Sequence, residues 1–261
     1  MMNKENQSHV PHRYDFLDSL RGIALISMIV YHTVWDVVYI GDWDWSWFRT
    51  DTAYVWQQSI CWTFILLSGF CWALGRRRVK RGLTVLGAGI LTSLVTWNLP
   101  YEQRVTFGIL TFLGAVMLLM IPLDKIFKKL PAVPGFVLSM LLFLLTKEIN
   151  HEYLGIGMLR MVELPHAWYQ KGPLLTFLGF TNESFYSADY FSILPWIFLF
   201  LAGHFLQKIA CEKDLLDKIA RRVPKLPLAV LGRHSLLIYL LHQPLIYFVL
   251  MLLGVIPNLL V

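Results

Sequence analysis

Charge is what this chain has least of. Only 15% of its 261 residues are Asp, Glu, Lys or Arg, against roughly 25% in an ordinary soluble domain, while 56% are apolar. That balance excludes a chain solvated by water alone. Cysteine is sparse as well. Cys61, Cys71 and Cys211 show no paired metal-ligand spacing, and Cys61 and Cys71 lie too far apart along one predicted helix to bond, which leaves packing as their role. There is no His-Glu-x-x-His stretch, the spacing of Glu148, His151, Glu152, Glu163 and His166 matches no metal motif, and no metal is expected. Internal repeats and low-complexity tracts are missing, so residues 1–261 read as one domain. No cleavable signal sequence is expected: residues 1–15 are polar, and the apolar run behind them is long enough to span a bilayer and lacks a small-residue cleavage pattern.

What is present is length in the apolar runs. A helix crossing about 30 Å of hydrocarbon needs roughly 20 mostly apolar residues. Seven runs are candidates: 16–40, 54–75, 83–99, 107–123, 134–146, 190–211 and 228–255. The expected fold is all-α, a polytopic membrane helix bundle of about seven spans, with eight as the alternative count. The fifth run is short enough to be tilted or half-buried, and the last begins as an interfacial turn and spans from about His234. Trp43, Trp45, Trp47, Trp56 and Trp62 cluster as aromatic anchors do where helix ends meet headgroups.

The formal charge of +6 would suit nucleic acid, but the cations sit in short runs between apolar stretches, which is the pattern of membrane topology. Lys4, Arg13, the run 76–81, Lys125, Lys128, Lys129, Lys208, Lys213, Lys218, Arg221, Arg222 and Lys225 fall on one side. The other holds only Arg49, Arg104, Lys147, Arg160 and Lys171. Nucleic acid is set aside. The N-terminal segment 1–15 is placed in the cytoplasm, and the chain as a multi-pass protein of the inner plasma membrane, a homodimer being compatible with it. Residues 147–189 mix Gly, Pro, His, Glu and aromatics without a clean period, and are expected as an outer-side, partly structured loop over the mouth of the bundle.

Ionisable groups inside a span are costly and mark either function or structural pairing. The first run carries the most. Eleven positions separate Arg21 from His32, three helical turns plus about 20°, or about 16 Å along the axis, so both share one face. Asp36 lies one turn beyond His32, in range to accept from its Nδ1 and fix the tautomer, and Asp18 lies one turn before Arg21, in range to neutralise it. In the last run Ser235, Tyr239 and His242 align on one face, either meeting His32 in a site or joining helices by hydrogen bonds. Asp189, with Trp196 behind Pro195, stands at the outer entrance of the sixth run. It suits an acceptor amine or hydroxyl, or a helix cap. Arg76, Arg77, Arg78, Lys80 and Arg81 suit phosphate, or serve topology alone.

An Arg, ten intervening residues and then His, on a first helix opening Leu17-Asp-Ser-Leu-Arg-Gly22, resembles the acyltransferase-3 superfamily. More closely, residues 17–36, residues 64–69, Phe107-Gly-Ile-Leu110, Asp189-Tyr-Phe-Ser-Ile-Leu-Pro-Trp196 and Gly232-Arg-His-Ser-Leu-Leu-Ile-Tyr-Leu-Leu-His242-Gln-Pro244 resemble bacterial relatives of heparan-α-glucosaminide N-acetyltransferase. The resemblance implies acetyl transfer across the membrane, from cytosolic acetyl-CoA to an amine or hydroxyl of a sugar outside. It makes His32 the matching catalytic histidine. Arg21, Arg76, Arg77 and Arg81 would receive the donor, and Asp189, Trp196, Tyr239 and His242 the acceptor. Thr111 stands where relatives often carry a His after Phe-Gly-Ile-Leu. In this reading His32, oriented by Asp36, acts as general base or forms a transient acyl-imidazole, and activity falls as acid protonates it. A proton-coupled transporter and a non-catalytic scaffold are the rival classes; the first predicts two similar halves, which the sequence does not show.

Overall fold

The computed structural model describes residues 14–222 and 227–256. Nearly all of the segment 1–15 lies outside them, with Lys4, Arg13 and Lys225, as do the side chains of Arg221 and Arg222. The described chain is mostly helical. α1 (Asp15–Tyr39) opens with Asp15 and Asp18 in its first turn, where carboxylates complement the helix dipole. α2 (Asp51–Leu74) starts after the extended Thr50 and stops at Gly75. The chain then turns through Arg77, whose φ of 54° is left-handed, into α3 (Arg78–Thr96). α4 (Ile109–Phe127) and α5 (Ala132–Thr146) follow.

Among the described residues, five helical segments are long and apolar enough to cross a membrane: Asp15–Tyr39, Arg78–Thr96, Ile109–Phe127, Ala132–His151 and Ser235–Leu252. α2 is 24 residues long but carries Asp51, Gln57 and Gln58, and α7 (Trp196–Glu212) has only 17 residues. The sixth apolar run thus becomes helical later than its hydropathy implies. Residues 190–195 stay irregular because Pro195, at the cap, has no N–H to give an earlier turn. After α8 (Leu215–Arg222) the last run is broken into α9 (Ala229–Arg233) and α10 (Ser235–Leu252), with the break at His234. Leu94, Val95, Leu141, Leu237 and Leu252 are more than half exposed along these helices, a surface that lipid covers and water would not. The chain is a multi-pass membrane protein.

The expectation of an all-α chain needs one correction. Within 147–189 the strands β1 (Tyr153–Ile156) and β2 (Leu159–Glu163) form an antiparallel hairpin, bulged at Leu154/Gly155 and turned at Gly157 with φ +58°. α6 (Pro173–Leu178) completes this segment. Tyr169 ties the later part of this segment to the end of the Ala132–His151 helix by donating to the Ile149 carbonyl at 2.5 Å. Burial, with Glu152 nearby, pushes that phenol up to about 12, so it remains a donor across the physiological range.

Glycine pairs set the helix crossings. A Cβ on Gly69 of α2 would strike the Phe200 carbonyl, and one on Gly203 of α7 the Leu66 carbonyl. Gly89 and Gly114 hold α3 and α4 together in the same reciprocal way, and Gly22 and Gly232 bring α1 against the start of α9. Small residues let backbones approach where lipid supplies no hydrophobic drive. The largest apolar core lies among α2, α4, α5 and α7, around Phe112, Phe143, Leu199 and Phe200.

Candidate active site

Folding gathers the cations of α1, of the α2–α3 turn, of the first turn of α3 and of α9 at one end of the bundle. Arg21, Arg76, Arg77, Lys80, Arg81 and Arg233 line a cavity of about 760 Å³. Arg21 is tied to Asp18 at 2.7 Å, while Arg233 pairs with Asp15 at 2.7 Å and approaches Asp18 at 3.9 Å. The acids hold the guanidiniums in place without matching their number, so this end keeps a cationic excess suited to phosphate. Further along, the lining turns apolar, with Phe64, Ile109, Leu110, Leu113 and Met117, and includes Tyr239 of α10. A long ligand, anionic at one end and neutral at the other, suits that gradient.

Beyond Tyr239 come two histidines. The Tyr239 and His242 rings lie 5.2 Å apart between centroids, and the His242 and His32 rings 5.0 Å apart. The Nδ1 of His242 lies 2.5 Å from the Tyr239 carbonyl. A carbonyl only accepts, so this nitrogen carries a hydrogen, and in the neutral ring the lone pair is on Nε2. That Nε2 is buried and has no partner among the described residues. α1 and α10 therefore set one imidazole with an unpartnered ring nitrogen against a second imidazole, behind Tyr239; neither ring lines the cavity itself.

Asp36 does not orient His32. Its two carboxylate oxygens each accept from the Gln243 side-chain amide at 2.9 Å, and no hydrogen bond joins it to the imidazole one turn away. α10 crosses α1 at this point and presents Gln243, a partner 207 positions distant that helix periodicity along α1 cannot reveal. Trp196 is corrected too. It lies in the main core against Phe143 and Phe191 and does not line the cavity.

Of the two roles open to Asp189, the structure shows a helix cap, on a different helix from the one expected. Its Oδ2 accepts from the Ile109 N–H at 3.0 Å and from the Tyr239 hydroxyl at 3.1 Å, so it caps α4 rather than α7 and steadies the tyrosine beside His242. Thr111 faces Gly89 of α3 with its hydroxyl buried and unpartnered, and is not part of the cavity wall. Arg233, Gln243 and the Asp189–Tyr239 bond are the contributors that sequence reasoning missed. The Gly-Arg-His block around Arg233 was the one available signal.

The family model described as heparan-alpha-glucosaminide N-acetyltransferase, catalytic, matches residues 13–244. The chain belongs to that family. No curated protein and no solved structure matches it. The match spans the described chain from before α1 to Pro244 in α10, so both histidine-bearing helices and the whole cationic cavity fall within the heparan-α-glucosaminide N-acetyltransferase catalytic region. The protein is a membrane acetyltransferase of this family.

Proposed function

We propose that the chain transfers an acetyl group from acetyl-CoA to an amine or hydroxyl of a sugar on the opposite side of the membrane. The observation that carries this reading is a cavity lined by six cations and by apolar side chains that reaches Tyr239, whose ring lies 5.2 Å from that of His242, the neighbour of His32. The nucleotide phosphates of the donor meet Arg21, Arg76, Arg77, Lys80, Arg81 and Arg233. The pantetheine arm runs along the apolar wall, and the thioester arrives near Tyr239.

The acceptor nitrogen or oxygen attacks the thioester carbonyl. A C–N or C–O bond forms, the C–S bond breaks, and the proton passes to imidazole while coenzyme A leaves as thiolate. His32, the family's matching histidine, is the base or the transient acyl carrier. His242, with Nε2 unprotonated, is placed to relay the proton back to the thiolate. Asp36 and Gln243 act as positioning residues that fix α10 against α1. The cation-rich end faces the cytoplasm of an inner plasma membrane, by the positive-inside rule.

The test is transfer from isotopically labelled acetyl-CoA by purified, detergent-solubilised protein offered a panel of amino sugars and sugar alcohols. Labelled product formed by the native chain and lost in His32→Ala supports the assignment. A folded protein that neither binds acetyl-CoA nor labels any acceptor contradicts it, and passes the case to the transporter or scaffold reading.

A further inference from the structure

At the end of the bundle away from the cations, a second hollow of about 370 Å³ lies between the α3–α4 connection and residues 172–186. Its frame is built by bonds between those two segments. Tyr101 donates to the Ser184 carbonyl at 2.8 Å, and Tyr186 donates back to the Glu102 carbonyl at 3.1 Å. Ala188 and the Ser187 hydroxyl pair with Arg104 and Thr106. With both phenol hydroxyls occupied, the two rings are fixed 5.6 Å apart, and they remain 48% and 43% exposed. Trp97, 63% exposed, adds a third aromatic face.

Arg104 sits among them, half-buried. Its Nε donates to the Leu99 carbonyl at 3.1 Å and its guanidinium lies 5.5 Å from the Trp97 ring centre. No carboxylate among the described residues pairs with it. A guanidinium partly withdrawn from water, oriented by an aromatic face and lacking a carboxylate, is the usual receptor for a planar or tetrahedral oxyanion. Asn182 and Ser184, also in the lining, supply neutral donors and acceptors of the kind that meet hydroxyls.

The hollow adjoins the catalytic cavity. Phe107 lines the one and Ile109 the other, two positions apart, and the N–H of Ile109 is held by the same Asp189 that holds Tyr239. We propose that this hollow is the acceptor subsite, taking a saccharide that stacks on Trp97, Tyr101 and Tyr186 and places an anionic substituent on Arg104. Calling the saccharide an acceptor rests on the acetyl-transfer reading above; the binding does not.

Binding is therefore measured without donor, by calorimetry on the native chain in detergent. The probes are glucosamine, glucosamine 6-phosphate and a glucuronosyl-glucosamine disaccharide, the last two separating phosphate from carboxylate. At least one anionic probe should bind at least tenfold tighter than glucosamine. Arg104→Gln should erase that preference while leaving glucosamine within twofold, and Arg104→Lys should retain part of it. Equal affinities in the native chain, no binding of any probe, or a preference that survives Arg104→Gln would overturn the subsite. If Arg104→Gln loses all three sugars through misfolding, Arg104→Lys decides: a retained preference supports the subsite and an absent one contradicts it. Binding as expected with no labelled transfer would remove the acetyltransferase reading and leave the subsite standing.

Discussion

His242 owes its free Nε2 to a bond made by its own helix, and His32 owes its neighbour to the crossing of α1 and α10. On this geometry the two imidazoles are not equivalent. His32→Ala should abolish transfer, whereas His242→Ala should slow it by about 10²–10⁴-fold, the range for loss of a positioned proton carrier. Both are read as kcat under saturating donor. Arg21→Ala removes a charged donor from the cation-rich end proposed to hold the donor phosphates, far from the proposed chemistry. It should raise the KM for acetyl-CoA roughly tenfold or more, at about 1.5–3 kcal/mol per charge-assisted bond, with kcat nearly unchanged. Gln243→Leu leaves Asp36, fully buried, without the amide that both of its oxygens accept from. That should cost about 1–3 kcal/mol of stability, seen as a lower unfolding midpoint of the solubilised protein. Arg21 and His32 were legible because periodicity along one helix places both on one face and the family motif names the histidine. Gln243 and Arg233 were not, because each acts on a partner more than 200 positions away.

The length of the apolar runs locates most helices of this bundle and says little about how closely they pack. The crossings depend on Gly69 against Phe200 and Gly203 against Leu66, contacts between backbones that no side-chain pattern announces. Gly203→Val should therefore destabilise the protein by about 1–3 kcal/mol, the range for overpacking. Gly87→Ala, where nothing lies within 4 Å of the added Cβ, should be neutral or stabilise by up to about 1 kcal/mol through helix propensity. Thermal unfolding of the two variants in one detergent makes the comparison, and equal midpoints would contradict the glycine account. The stretch 147–189 was legible as partly structured and no further. Its hairpin exposes Met158, Leu159, Met161 and Val162, so it lacks the one-sided apolar alternation by which a strand is ordinarily recognised.

The molecule as a whole has two unlike ends. One gathers Arg21, Arg76, Arg77, Lys80, Arg81 and Arg233 around the larger cavity, and the other sets Arg104 among aromatic rings. The His32–His242 pair lies past the inner wall of the larger cavity, beyond the Tyr239 that Asp189 steadies. Membrane crossing, in this account, is done by the acetyl group and not by either substrate. Chain length and hydropathy made the membrane character legible. The polarity of the cavity depended on which cations the fold brings together, and the Asp189–Tyr239 bond joins residues 50 positions apart. The most direct test uses proteoliposomes in which the cation-rich end of every counted molecule faces outward. Labelled acetyl-CoA is supplied outside and an amino sugar is sealed inside. Labelled acetyl-sugar accumulating in the lumen, and absent with His32→Ala, is the predicted result. Label that appears only when donor and acceptor share one side, or that persists at the native rate in His32→Ala, would contradict the account.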